Sequence, residues 1–188
     1  MTNAVLEHPI LRQQIVPMTV HTYQALGQMG LIEEKTELIR GFILPKMSKS
    51  PRHTTLAQRL LEWLTQILPS GFVIRQEQPI TCVDSEPEPD VAIVKGSVED
   101  FAHAHPTTAT LIIEVAISTL ERDREKAAIY AEAGVTQYWI VNPEQNHVEV
   151  FTHPSPKGYQ HRQVLNLGET LEVPEFSGLC ISISDLLR

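Results

Sequence analysis

Hydrophobic and polar positions change their period twice between residues 110 and 141. Residues 110–118 read T-L-I-I-E-V-A-I-S, an apolar, β-branched run with one acid, Glu114, inside it. Residues 119–134 have helical character, and 135–141 (V-T-Q-Y-W-I-V) return to a β-branched and aromatic run. A strand, a helix and a second strand in that order predict a crossover unit whose strands lie parallel. Ser118-Thr119-Leu120-Glu121 fits a capping box, so the helix is expected to start just after Ser118, with Gly134 as its left-handed stop.

The rest of the chain divides by the same reading. Residues 1–17 read as a loose N-terminal arm, and 18–188 as one domain. Thr19 is placed to cap a short helix that Gly27 ends. Residues 37–44 form a hairpin or bent strand turning near Gly41, followed by a loop over 47–51. Apolar residues at Leu56, Leu60, Leu61, Leu64, Ile67 and Leu68 recur at helical spacing, with Ser50 as cap, Pro51 in the first turn and 69–71 as the stop. Residues 72–83 read as a strand bent near Pro79. Residues 90–94 read as a short buried strand opened by Asp90, and 98–106 as a loop or short helix. Two antiparallel strands are expected over 147–152 and 159–165, then a last strand pair within 170–183 and a closing helical turn.

Composition narrows the class. The 188 residues suffice for one domain with a substantial core. At 42% hydrophobic and 20% charged the chain is globular rather than disordered. No stretch reaches the length of a membrane span, and the N-terminus lacks a signal-peptide pattern. A cytoplasmic setting is therefore expected, with Cys82 and Cys180 as buried free thiols. A net charge of −8 argues against a nonspecific nucleic-acid coat. It leaves room for a metal site, which is acidic before its cation arrives.

The acid inside an apolar strand requires an explanation, because a buried carboxylate is costly unless it is paired or bound to a metal. Lys126 lies about 9 Å along the helix at about 1.5 Å per residue. Helix side chains lean toward the N-terminus, so its amine can point back at the strand end bearing Glu114. Arg122 and Tyr130 share that face. Asp90 opens a neighbouring strand. Two acids under a lysine suit Mg²⁺ or Mn²⁺, with a water as nucleophile at a phosphodiester. A plain ion pair of Glu114 with Lys126 or Arg122 is the competing reading. A metal-free carboxylate pair, as in a glycosidase, is another. His53 sits where a surface histidine is ordinary. His103, His105, His147, His153 and His161 show no ligand spacing and read as surface residues. Tyr138 and Trp139 read as core.

Pro89-Asp90-Val91, 111–115 (L-I-I-E-V), 123–126 (D-R-E-K), Tyr130, Ala133-Gly134-Val135 and 138–141 (Y-W-I-V) together closely resemble the Uma-two family of the restriction-endonuclease-like, PD-(D/E)xK superfamily. Residues 37–41 and the helix carrying His53 resemble it too, and the likeness covers about 18–185. It implies an α/β fold, a restriction-endonuclease-like mixed β-sheet flanked by helices, with additional antiparallel strands at the N- and C-terminal ends. It also implies divalent-metal hydrolysis of DNA by a homodimer. Asp90 and Glu114 become metal ligands with Glu37 as third acid, and Lys126 becomes the catalytic base or phosphate stabiliser. His53 and Gln78 are candidates for the cleft rim. The superfamily's usual lysine, two residues after the acid, is replaced here by Ala116. Asn142 stands where members often carry an acid. A catalytically silent binding domain on the same fold is the alternative.

Overall fold

The computed structural model describes residues 8–173, 176 and 179–188. Of the expected arm, 1–7 lie outside the described residues, and 8–17 contain one helical turn, α1 (Pro9–Arg12), with no buried residue. Helix α2 (Val20–Gln28) is capped by Thr19, whose hydroxyl accepts from the Thr22 N–H. It runs past Gly27, and the left-handed turn falls instead at Gly30 (φ 69°). Strands β1 (Thr36–Ile39) and β2 (Phe42–Pro45) form the expected hairpin. Arg40 and Gly41 both have positive φ, as a primed two-residue turn requires.

Helix α3 (Pro51–Ile67) begins as anticipated, with Ser50 Oγ accepting the His53 N–H and Pro51 in the first turn. Then come β3 (Phe72–Gln76), β4 (Val91–Lys95), β5 (Leu111–Val115), α4 (Leu120–Glu132), β6 (Gln137–Asn142), β7 (His147–Ser155) and β8 (Gly158–Asn166). The end pair β9 (Thr170–Val173) and β10 (Leu179–Ser182) leads into α5 (Ile183–Leu186). The six-stranded sheet has the order β3-β4-β5-β6-β7-β8, antiparallel throughout except for the parallel β5–β6 pair that α4 connects.

Alternation along the strands builds two apolar layers. Leu111, Ile113, Val115, Trp139 and Val141 pack toward α3, through Leu56, Leu60 and Leu64. Ile112, Ala116, Tyr138 and Ile140 pack toward α4, through Ala127, Ile129 and Tyr130. Each fully buried large aliphatic side chain adds about 1.5–3 kcal/mol, so the central strands hold the domain together from both faces. Gly134 (φ 72°) ends α4, and the Val135 N–H returns to the Tyr130 carbonyl at 3.0 Å.

Four further expectations change. The strand expected over 72–83 stops at Gln76, because Glu77 turns left-handed (φ 51°) and leaves the ladder. The capping box at Ser118 does not form; Thr119 holds the cap position, and its hydroxyl donates to Asp123 at 2.6 Å. Cys180 is exposed, and only Cys82 is buried. His147 is buried beside Glu149 and is not a surface residue.

Candidate active site

The β4–β5 register creates the centre of the site. Val91 lies opposite Ile113, which brings Asp90 against Glu114 at the next step. Each acid also accepts a backbone N–H from the other's strand segment. The Asp90 N–H donates to Glu114 Oε2 at 3.2 Å, and the Val115 N–H donates to Asp90 Oδ2 at 2.8 Å. The Glu114 side chain points to α4, where Lys126 Nζ donates to Oε1 at 3.0 Å and the Tyr130 hydroxyl donates to the same oxygen at 3.2 Å. The lean of helical side chains toward the N-terminus makes this reach available from a residue on the next element.

Glu37, from β1, closes the third side. One of its oxygens lies 3.2 Å from Lys126 Nζ and the other pairs with Arg122. The structure therefore brings Glu37, Asp90, Glu114 and Lys126 into one buried cluster. His53 joins it, contrary to the surface reading: its side chain is 12% exposed and Nε2 lies 3.0 Å from Asp90 Oδ2. Its other ring nitrogen, Nδ1, is buried without a partner. Gln78 does not join; it is exposed and lies outside the cavity lining. Glu77 stands at the rim instead.

Two residues to which the sequence assigns no role complete the centre. Lys49, on the segment between β2 and α3, donates to Asp90 Oδ1 at 2.8 Å and lies 2.9 Å from Glu77 Oε1. Asp123 is buried on α4 one turn before Lys126. That i, i+3 spacing was the available signal for Asp123; nothing local pointed to Lys49.

A cavity of about 160 Å³ opens over these groups. Its lining carries six acids (Glu37, Glu77, Glu88, Asp90, Glu114, Asp123) against four permanent cations (Lys46, Lys49, Arg122, Lys126), leaving two negative charges in excess. A wider one of about 480 Å³ adjoins it past Ile117, Ser118 and Thr119, toward Asn142 and Gln145.

The imbalance appears in the protonation of the acids. Burial, then Asp90, Asp123 and Glu37, push Glu114 up to about 8 against the opposing pull of Lys126. Burial likewise raises Asp123 to about 6, against Lys126 and the Thr119 hydrogen bond. For Lys126 burial alone would lower the pKa, but Glu114, Glu37 and Asp123 outweigh it, so the amine keeps its proton. Asp90 moves down: burial works against it, but the His53 hydrogen bond and Lys49 prevail.

Among the described residues, no three His, Cys, Asp or Glu side chains already converge as a metal cage. Ammonium groups occupy the oxygens instead. The donor set still suits a hard divalent cation. Asp90 and Glu114 present carboxylate oxygens from adjacent strands, with Glu37 on the third side, and the cavity lining carries fewer cations than acids.

The fold is a mixed sheet flanked by helices, with an acid pair at the facing ends of two adjacent strands. The chain belongs to the Uma2 family, described as "Putative restriction endonuclease", which it matches over residues 23–184. Among solved structures, the fold is similar to "a putative nuclease belonging to DUF820 from Anabaena variabilis ATCC 29413", with a TM-score of 0.76. The two share 20% sequence identity over 91% of this chain and 98% of that one. No curated protein matches the chain. Among the described residues no helix is long and apolar enough to cross a membrane.

Proposed function

We propose that this chain is a divalent-cation-dependent endonuclease that hydrolyses DNA phosphodiester bonds, with Asp90 and Glu114 holding Mg²⁺ or Mn²⁺ and Glu37 as third acid. The reading is carried by one observation. Two buried carboxylates from adjacent strands bond across the register while Lys126, from the following helix, sits 3.0 Å from one of them. Family membership supports it further.

A cation held there supplies Lewis acidity, making a water more nucleophilic and offsetting charge on the phosphoryl oxygens. In the reaction the water oxygen bonds to phosphorus, one ester P–O bond breaks, and the departing oxygen leaves with a proton as an alcohol. Lys126, which keeps its proton among Glu114, Glu37 and Asp123 in the free protein, is assigned the role of electrostatic stabiliser of the developing phosphoryl charge. Tyr130 fixes the rotamer of Glu114 through its hydroxyl. His53 and the Val115 N–H hold Asp90 Oδ2. Arg122 sits at the cavity wall with Glu37.

The proposal extends to a homodimer, which would widen the contact surface and address both strands of a duplex, and to a reducing, cytoplasmic setting, which the two free cysteines support. A catalytically silent nucleic-acid- or protein-binding domain on the same fold is the second reading. The lysines seated on Asp90, Glu37 and Glu114 favour it. Cleavage of supercoiled plasmid with Mg²⁺ or Mn²⁺ separates the two. The expected result is cation-dependent nicking that Asp90→Ala, Glu114→Ala and Lys126→Ala each abolish. Cutting that survives all three substitutions removes this site, and no cutting of any nucleic acid selects the silent domain.

A further inference from the structure

The two oxygens of Asp90 are committed differently. Oδ2 accepts from the Val115 backbone N–H at 2.8 Å and lies 3.0 Å from the ring of His53 on α3. Both partners belong to packed elements. Oδ1 is held at 2.8 Å by Lys49 Nζ, the tip of a flexible four-carbon stem. Lys49 sits on residues 46–50, which form neither helix nor strand, and its side chain is 30% exposed. Lys126 contrasts with it: that side chain is 8% exposed, grows from a packed helix and is shared by two acids.

A divalent cation that engages Asp90 therefore has one oxygen it can take without breaking a backbone bond, and that oxygen carries an ammonium. The two charges repel strongly at contact distance in a partly buried site. The ammonium is the weaker holder and must leave. Its backbone cannot follow, because the next residue, Ser50, is fixed as the cap of α3. The displaced amine stays within one side-chain length of the acids and faces the cavity where a phosphate would lie. Glu77, its other partner, is half-exposed and a weak competitor in solvent.

We propose that Lys49 is a second phosphate-contacting lysine, stored on Asp90 and Glu77 in the free protein and released to the substrate phosphate when a divalent cation takes Asp90 Oδ1. This rests on the metal-site reading given under Proposed function. It makes cation and polyanion binding mutually reinforcing, because each removes the partner that blocks the other.

The test needs no turnover. Mn²⁺ binding is measured by titration calorimetry without nucleic acid, and binding of a labelled duplex oligonucleotide by fluorescence anisotropy in Ca²⁺ and in chelator, for wild type, Lys49→Gln, Lys49→Arg and Asp90→Asn. Lys49→Gln is expected to bind Mn²⁺ about tenfold more tightly and the duplex in Ca²⁺ about tenfold more weakly, a typical size for site coupling. Lys49→Arg is expected to reverse part of both changes. Lys49→Gln equal to wild type in both assays overturns the proposal and leaves Lys49 a solvated charge. Weaker binding in both, with a lowered melting temperature, overturns it in favour of a structural strut. If wild type binds Mn²⁺ in an Asp90-dependent way and Lys49→Gln changes nothing, only this inference fails. If wild type binds no Mn²⁺, or Asp90→Asn leaves its binding intact, the metal-site reading fails and takes this inference with it.

Discussion

Glu114 and Glu149 lie in the same row of the sheet, separated only by Ile140. Ile140 pairs with Glu114 on one side and with Glu149 on the other. At about 4.8 Å between strands, that puts the two glutamates about 10 Å apart. Both are buried, both face α4, and α4 supplies a cation to each, Lys126 to one and Arg124 to the other. Their fates differ. Glu149 receives two guanidiniums, since Arg124 grips both of its oxygens and Arg162 adds a contact at 2.9 Å. Burial would raise its pKa, but the Arg124 and Arg162 hydrogen bonds win and hold it low. Glu114 receives one ammonium that it must share with Glu37, stays undercompensated, and opens on a cavity that Glu149 does not line. A buried glutamate is therefore not in itself the mark of a site. The ratio of cations to carboxylates, together with a void beside them, separates the candidate active centre from a structural tie.

The comparison breaks most visibly at the two α4 cations. Lys126→Met is expected to lower cation-dependent plasmid cleavage by a factor on the order of 10²–10³, as for loss of one electrostatic stabiliser. Arg124→Met should leave cleavage per folded molecule near wild type. Equal losses in the two variants would show that α4 integrity, and not the Lys126 charge, is being measured. On the structural side, Glu149→Ala is expected to cost about 3 kcal/mol in denaturant unfolding. That is the low end for a broken buried pair, because Arg124 and Arg162 can both turn to solvent.

The pH dependences should run in opposite directions. Glu114 is raised in the folded state, to about 8. Its contribution to stability is therefore fully present below its ordinary value near 4.5 and is lost as pH climbs toward 8. Glu149 is depressed, so its contribution is present above 4.5 and is lost as pH falls through the lowered value. In chelator, wild type is expected to lose melting temperature between pH 6 and 8 relative to Glu114→Gln. Asp123, raised to about 6, adds a similar slope at lower pH in both proteins. Parallel melting curves from pH 5 to 8 would refute the undercompensation of Glu114. The smallest effect is expected from Arg162→Ala. With its side chain 47% exposed and Arg124 still bound to Glu149, the loss should stay under about 1 kcal/mol by thermal melting.

The parts of this architecture that sequence reveals are those where local period and turn chemistry decide. The change from an apolar, β-branched run to helical spacing and back predicts β5, α4 and β6 with their parallel pairing. The Arg40-Gly41 turn and the Gly134 stop follow from backbone conformations that few residues adopt. The acid pair and Lys126 were legible because a strand register and a helix lean are local rules. The extended stretch after Gln76 was misread for a physical reason. Ile80 and Cys82 keep the alternation because they are buried, yet burial without a partner strand makes no ladder. Lys49 and His53 reach Asp90 across 41 and 37 residues, contacts that no short-range pattern encodes. Asp123 stands in the 123–126 motif one turn before Lys126, but within a charged helical run its acid does not distinguish itself from solvated neighbours.

Carrying the amine on α4 and the acid on β5 divides the proposed catalytic pair between two elements joined by a connection of only a few residues. A lysine two positions along the same strand would travel with its acid through any insertion. Here a single extra residue between Ala116 and Leu120 would swing the helix azimuth by about 100°, carrying Lys126 away while every side chain kept its chemistry. Length variation in that connection could therefore silence the centre in one descendant and restore it in another, leaving the alphabet of residues untouched.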